Sequence, residues 1–382
     1  MYELPAKFEE FAEARRNGFL KVKNLKEEGK NVVGIFCTFT PTEIIDASGA
    51  ACVSLCASGN ESIVDAEKDL PKNLCPLIKS SYGFAVTDSC PYTYFSDLIV
   101  GETTCDGKKK MFELLGEIKN VHVMQLPQNL NREYSWDVWR EEGNILKEKL
   151  EEVTGKPITN EALREASKER NEYRKLLIEL MELGKLEPPP MKGKEMATVL
   201  NGLTFEFDAQ LRKNKVREMI DSTMSAYDAG ERPVSKNAKR ILITGCPMGG
   251  VIDKTIGVID EEGGVVVCYE NCGGIKNAYQ MVDENSEDIM KAITDRYLQI
   301  GCSVMTPNDI RMNLLKDLIK EYKVDGVVDV ILQACHTYNI ETKSVKQLCE
   351  ELGTAYIAIE TDYSESDTGQ LRTRLGAFIE MI

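Results

Sequence analysis

The sequence predicts an α/β protein with parallel sheets, and three observations predict it. Short apolar runs without alternation recur, among them Leu98 to Val100, Ile241 to Thr244 and Val327 to Leu332. Such runs suit strands buried on both faces of a parallel sheet. Segments of helical periodicity separate them at spacings that suit βαβ units. Cysteines stand just past the ends of the runs, where open α/β sheets hold their ligands.

The stretch SDLIVGETTCDGKKK, Ser96 to Lys110, contains the whole unit. An apolar run is followed by Gly101 and Cys105, and Asp106 and Gly107 break the chain before a helix from Lys108. The unit recurs. NVVGIFCTFTP sets Cys37 behind Val32 to Phe36, and RILITGCPMGG sets Cys246 behind Ile241 to Thr244. VVVCYENCGG sets Cys272 behind Val265 to Val267, and VVDVILQACHTYN sets Cys335 behind Val327 to Leu332. Purely structural cysteines would fall anywhere on a strand, so five in one topological position point to function.

With 382 residues and 42% apolar content, the chain is long enough for two domains with a core in each. A net charge of −15 argues against nucleic acid and against an anionic membrane surface as partners. No apolar run reaches the length of a membrane span. The segment MYELPAKFEEFAEARRNG reads as a charged amphipathic helix rather than a signal peptide, so a cytoplasmic location is expected. In that setting twelve cysteines suggest metal binding or reactive thiols rather than disulfides. The only histidines are His122 and His336, which leaves thiolate ligation by iron–sulfur clusters or Cys-only zinc.

In chain order, residues 1–30 form an N-terminal helical segment. Residues 31–130 form a first Rossmann-like domain with strands at VVGIF, ACVSLC, FAVTDS, DLIVGE and VHVMQLP. A helix over Ile44 to Gly49, behind Pro41 and Thr42, would aim free N–H groups and positive dipole at anything bound at Cys37. Residues 131–236 form a helical region. Thr159 or Asn160 caps one of its helices, and Gly184 with Pro188 to Pro190 ends that helix. Residues 237–382 form a second Rossmann-like domain with strands RILITG, GVVVCYE, VDGVVDVILQ and TAYIAIETD. Helices are expected near Ser286 to Gln299 and Leu314 to Tyr322. The last helix puts Leu371, Leu375, Phe378 and Ile382 on one face. Its Arg372 and Arg374 would pair with Asp362 or Glu365, or one would face a docking reductase.

The segment GCPMGGVIDKT has the G-x-x-x-x-G spacing of a phosphate loop, but Val251 stands where the lysine belongs and Lys254 is displaced. Its glycines instead let backbone amides approach a bulky group at Cys246. NCGG repeats that pattern at Cys272. Cys75 precedes Pro76 at a helix entrance, a position that favours a thiolate. Cys302 follows a helix and is a reserve candidate. Cys52, Cys56, Cys268 and Cys349 read as core residues inside strands or helices, and Cys90 is undecided. No close C-x-x-C pair marks structural zinc. His336, beside Cys335, is the only base a nucleophilic cysteine would have.

On these residues the chain resembles the 2-hydroxyacyl-CoA dehydratase and benzoyl-CoA reductase family of iron–sulfur proteins. CTFTPTEIIDASG from Cys37, TTCDGKKK from Thr103 and GQLRTRLGAFIE from Gly369 carry the resemblance, which runs from about Val32 to the C-terminus. It implies two Rossmann-like domains and a helical region, with a 4Fe–4S cluster between the domains on three cysteines and one iron open to substrate. Matched motif to motif, those cysteines are Cys75, Cys105 and Cys335. Cys246 departs from the ordinary dehydratase pattern, and Cys37 and Cys272 add to it. Six thiols suit two cubanes sharing a sulfide, so the chain looks most like the family's double-cubane proteins. That likeness implies an 8Fe–9S cofactor whose second cubane would sit on Cys37, Cys246 and Cys272, with Cys302 in reserve.

Open or bridging irons, not a side chain, would then be catalytic. The resemblance further implies a homodimer, a small unsaturated substrate and an ATP-hydrolysing 4Fe–4S reductase as partner. A thiolate-ligated cluster in an acidic protein is hard to reduce, and this chain has no ATP loop of its own. Two other readings stand beside this one. The chain could be a single-cubane 4Fe–4S subunit of a 2-hydroxyacyl-CoA dehydratase, or a non-catalytic electron carrier.

Overall fold

The computed structural model describes residues 6–382, and it contains two parallel four-stranded sheets. The first is built from β1 (Val32–Ile35), β2 (Ala51–Ser54), β3 (Leu98–Glu102) and β4 (Val121–Met124) in the order β2-β1-β3-β4. The second is built from β5 (Lys239–Gly245), β6 (Gly264–Tyr269), β7 (Gly326–Leu332) and β8 (Ala355–Thr361) in the order β6-β5-β7-β8. Every pairing is parallel. The second sheet repeats the strand order of the first, so both halves are Rossmann-like, as expected. The unalternating runs are the buried strands: β3, β6 and β7 are buried at every residue. The edge strands β4 and β8 are more exposed.

Two compact units result. One comprises Arg16–Arg174 with Gln280–Asn308; the other comprises the chain up to Arg15, Lys175–Tyr279 and Asp309–Ile382. These divisions differ from boundaries drawn at 130 and 236. The helical region contributes to both units, and the stretch 280–308 belongs with the first sheet. Asn171 fixes that stretch: its Nδ2 donates to the Val282 carbonyl at 2.8 Å and its Oδ1 accepts the Val282 N–H at 2.9 Å. The core of this unit then joins Leu98 and Val100 of β3 to Ile44, Trp139, Leu146, Ile293 and Tyr297, all essentially buried.

Two expected strands are corrected. FAVTDS is no strand, because Pro76 starts a helix over Pro76–Val86 that absorbs Phe84 to Val86, and Asp88 then leaves it at a positive φ of 49°. Proline at the first helical turn is a strong start signal, and it overrides a short apolar run. ACVSLC ends as a strand at Ser54, which leaves Cys56 beyond it. One other local signal acts as read. The Thr159 hydroxyl accepts the Ala162 N–H at 3.2 Å at the head of the helix Asn160–Glu182. Asp208 caps the helix Ala209–Asp228 through the Leu211 N–H at 2.7 Å.

The C-terminal helix Thr368–Met381 buries Leu371, Leu375 and Phe378. Its arginines do not pair with Asp362 or Glu365. Arg372 binds Glu262 at 2.8 Å and also Glu261, and Arg374 donates to the Ala358 carbonyl at 2.8 Å. Both partners lie within the same unit, which leaves no support for a docking arginine here. Among the described residues, no helix is long and apolar enough to cross a membrane.

Gly245, which ends β5, has a φ of +101°, and a Cβ there would meet the Val330 carbonyl oxygen at 2.3 Å. Gly155 also has a positive φ, 68°, but open space around it. Gly245→Ala should therefore cost roughly 2–4 kcal/mol and Gly155→Ala only about 1 kcal/mol. Urea midpoints of the metal-free variants check this, and equal losses would refute the close contact.

Candidate functional site

In each sheet the chain leaves the first strand, forms an edge strand, then crosses to the opposite side of the first. The switch points therefore lie between β1 and β3 and between β5 and β7, and ligands of open α/β sheets bind beyond the carboxyl ends there. Cys37 follows β1 by two residues and Cys105 follows β3 by three. Cys246 follows β5 directly and Cys335 follows β7 by three. Four of the sequence-selected cysteines thus flank the two switch points, two in each unit. Cys272 follows the neighbouring strand β6 by three residues. All twelve cysteines are thiols, with no disulfide among the described residues.

In the second sheet one backbone residue ties two of these loops together. The Leu332 N–H donates to the Cys246 sulfur at 3.3 Å, and the Leu332 carbonyl accepts the Cys335 N–H at 3.0 Å. An N–H aimed at sulfur favours its thiolate form. Cys246 is buried, whereas Cys272 and Cys335 are half-buried. Beneath the loops lies a buried ionic network. Arg311 binds Glu270, Glu341 and the Thr244 hydroxyl, and Lys276 donates to the Tyr338 hydroxyl at 2.6 Å. Asp329 of β7 takes the Tyr356 hydroxyl at 3.1 Å, and burial pushes its carboxyl up to about 6. The displaced lysine of GCPMGGVIDKT is spoken for: Lys254 is buried and bonds Asp367 at 2.7 Å and the Ser364 carbonyl at 2.5 Å.

In the first sheet the tie is Phe36. Its carbonyl accepts the Cys56 thiol and the Lys108 ammonium, each at 2.9 Å. Reading ACVSLC as one strand places Cys56 in the core. It instead follows β2 by two residues, much as Cys272 follows β6. The internal repeat is the signal that could find it. The helix Thr42–Ala47 does not leave its first N–H open toward Cys37, because Thr42 N–H donates to the Tyr297 hydroxyl at 3.1 Å. Behind it the buried Glu43 binds Arg174 at 2.5 Å. Burial alone would raise the Glu43 pKa, but Arg174, Arg296 and Arg170 outweigh it and hold the carboxyl below its usual range.

Three of the six selected cysteines occupy helix N-caps: Cys75 before Pro76–Val86, Cys105 before Asp106–Leu115 and Cys335 before His336–Leu352. They are the three that the resemblance implies as ligands. The segments that carry Cys75 and Cys105 pack against each other, since a Cβ on Gly107 would lie 2.8 Å from Ile78 and 3.0 Å from Leu74. Cys90 caps the five-residue helix Pro91–Phe95. Cys302 is buried in the apolar cluster against which Cys37, Cys52 and Cys105 also pack. Cys268 and Cys349 behave as core thiols. Burial raises both, Cys268 strongly and Cys349 to about 12. His336 is exposed at the first turn of its helix.

Among the described residues, no three Cys, His, Asp or Glu side chains gather as for a single metal ion. A cubane makes another demand, because each thiolate binds a separate iron at its own corner and the sulfurs stand apart. An all-sulfur donor set spread over adjacent strand ends and helix N-termini fits that group.

Residues 37–382 match the family model described as the D-component of 2-hydroxyglutaryl-CoA dehydratase. The chain is 51% identical over 381 residues to YjiM of Escherichia coli K12, named as a dehydratase subunit, covering 100% of this chain and 99% of that one. It is 22% identical to the beta subunit of (R)-phenyllactyl-CoA dehydratase of Clostridium sporogenes, covering 94% of each. A benzoyl-CoA reductase subunit of Thauera aromatica is 19% identical, over 93% of this chain and 92% of that one.

Glu102 at the end of β3 is fully buried and accepts the Thr40 hydroxyl. Burial raises it from 4.5 to about 7, against the opposing pull of Thr40 and Lys108. A carboxyl raised on folding contributes stability that is full below 4.5 and lost as pH rises through about 7. Glu102→Gln should therefore gain on the wild type by up to about 3 kcal/mol between about pH 5 and about pH 8. Urea unfolding of the metal-free proteins measures the difference, and a gap that does not change with pH contradicts it.

Proposed function

The chain belongs to the family of the 2-hydroxyglutaryl-CoA dehydratase D-component, and from that footing we propose that it is an iron–sulfur reductase subunit. It would receive low-potential electrons from an ATP-hydrolysing 4Fe–4S partner and reduce a small unsaturated molecule. The observation that carries this reading is the duplicated sheet with cysteines at matching strand ends. Cys75, Cys105 and Cys335 would hold one cubane of a double-cubane cluster, and Cys37, Cys246 and Cys272 the other. When bound, the cluster would supply one-electron chemistry at low potential.

The chain's own residues do the rest. The helices behind Cys75, Cys105 and Cys335 present N-terminal dipole to the thiolates. Leu332 N–H holds the Cys246 sulfur. Gly249, Gly250 and Gly273 leave no side chains to crowd a bulky group beside Cys246 and Cys272, whereas Gly274 is packed against the Tyr269 backbone. Lys254 is committed to Asp367, which accords with ATP hydrolysis on a partner rather than on this chain. The names of the relatives favour a second reading, a subunit with a single cubane acting on an acyl-CoA.

Iron and sulfide analysis of anaerobically purified protein separates the two. We expect roughly eight irons per chain for the double cubane, and a changed spectrum in Cys246→Ala. About four irons with an unchanged Cys246→Ala spectrum would leave the single cubane. Cys105→Ala and Cys335→Ala should each lose iron and lower the thermal midpoint, because metal binding adds to folding. Cys349→Ala should keep its iron, and equal retention in all three variants would refute the ligand assignment.

A further inference from the structure

Of the three lysines in the GKKK motif, two are accounted for on the surface. Lys109 pairs with Asp106 at 2.7 Å and Lys110 with Glu113 at 2.5 Å. Lys108 is different. It stands one helical turn after Cys105, on the same face of the helix, and its ammonium reaches the Phe36 carbonyl that also accepts the Cys56 thiol. The sulfurs of Cys56, Cys37 and Cys105 all act electrostatically on it, Cys56 most strongly. Burial pulls the ammonium's pKa down, yet the sulfurs and Glu102 together leave it raised.

Glu102 is the one carboxylate that acts on Lys108, and it bonds Thr40 rather than the ammonium. Its burial keeps it largely protonated up to about 7. Among the described residues the Lys108 ammonium thus bonds a backbone carbonyl, that of the residue before Cys37, and pairs with no carboxylate.

We infer that Lys108 is the positioning cation beside the strand-end cysteines Cys37 and Cys105, that it shares the carbonyl before Cys37 with the Cys56 thiol, and that it sets the reduction potential of an iron–sulfur group held there. The inference rests on the reading above. Adding an electron to a thiolate-ligated group adds negative charge, and a fixed ammonium nearby in a low-dielectric interior stabilises the reduced form. A purely structural role would need only the hydrogen bond to Phe36.

Lys108→Gln keeps a donor for Phe36 but no charge, while Lys108→Arg restores the charge. After anaerobic loading with iron and sulfide, each variant is titrated potentiometrically and its iron counted. Lys108→Gln should hold wild-type iron yet disfavour reduction about tenfold, a midpoint about 59 mV more negative for one electron. Lys108→Arg should return most of that shift. Iron loss in Lys108→Gln that Lys108→Arg reverses also supports the inference. An unmoved midpoint in Lys108→Gln overturns it, and so does iron loss in both variants. Should the wild type itself take up no iron, the iron–sulfur reading falls and this inference falls with it. A loaded wild type beside an unmoved Lys108→Gln sinks the Lys108 role alone.

Discussion

One constraint governs the site: both sheets are parallel and share a strand order in which the third strand returns to the far side of the first. That order makes the loops after β1 and β3, and after β5 and β7, neighbours at their carboxyl ends. It also leaves backbone groups at those ends without ladder partners, and they need others. Phe36 and Leu332 show what fills the need. The carbonyl of one takes a thiol and an ammonium, and the N–H of the other takes a sulfur. The cysteines are thus part of how the strand ends are completed, so positions in the loops are set by the sheets.

This explains which parts of the molecule are legible in the sequence. Unalternating apolar runs bounded by turn residues suit strands buried on both faces of a parallel sheet, so β3, β5, β6 and β7 are readable, and so are the cysteines behind them. Cys56 is not, because β2 is an edge strand of four residues whose end carries no glycine or proline to mark it. FAVTDS misleads for a related reason, since a short apolar run fits a helix end as well as a strand. The assignment of 280–308 to the first unit cannot be read locally. It depends on Asn171 meeting Val282 across 111 residues, and no periodicity reports such a contact.

Charge is the second organising element. The chain carries a net −15, yet Arg174, Lys254, Lys276 and Arg311 are buried. Each has a carboxylate within reach: Glu43, Asp367, Glu270, and Glu270 with Glu341. Breaking such a pair leaves an uncompensated buried charge and costs about 3–5 kcal/mol. These pairs therefore hold helices and loops against the strand ends without contributing net positive charge there. Lys108 is built differently: its ammonium bonds the Phe36 carbonyl and, among the described residues, no carboxylate.

The helix caps carry the remaining step. An ordinary N-cap is Ser, Thr, Asp or Asn, whose oxygen takes an N–H of the first turn, and losing that oxygen costs about 1 kcal/mol. Cys75, Cys105 and Cys335 occupy the cap with no such bond from their side chains. Asp208 and Asp288, at helices away from the strand-end cysteines, make it normally. Sulfur is a poor substitute as a cap, so helix stability does not account for it at these three positions. What a cap thiol gains is the positive end of the helix, which favours its thiolate. At Cys105 and Cys335, which also follow β3 and β7, the cap therefore puts a thiol at a helix N-terminus beside a switch point, and the proposed ligand role rests on that placement.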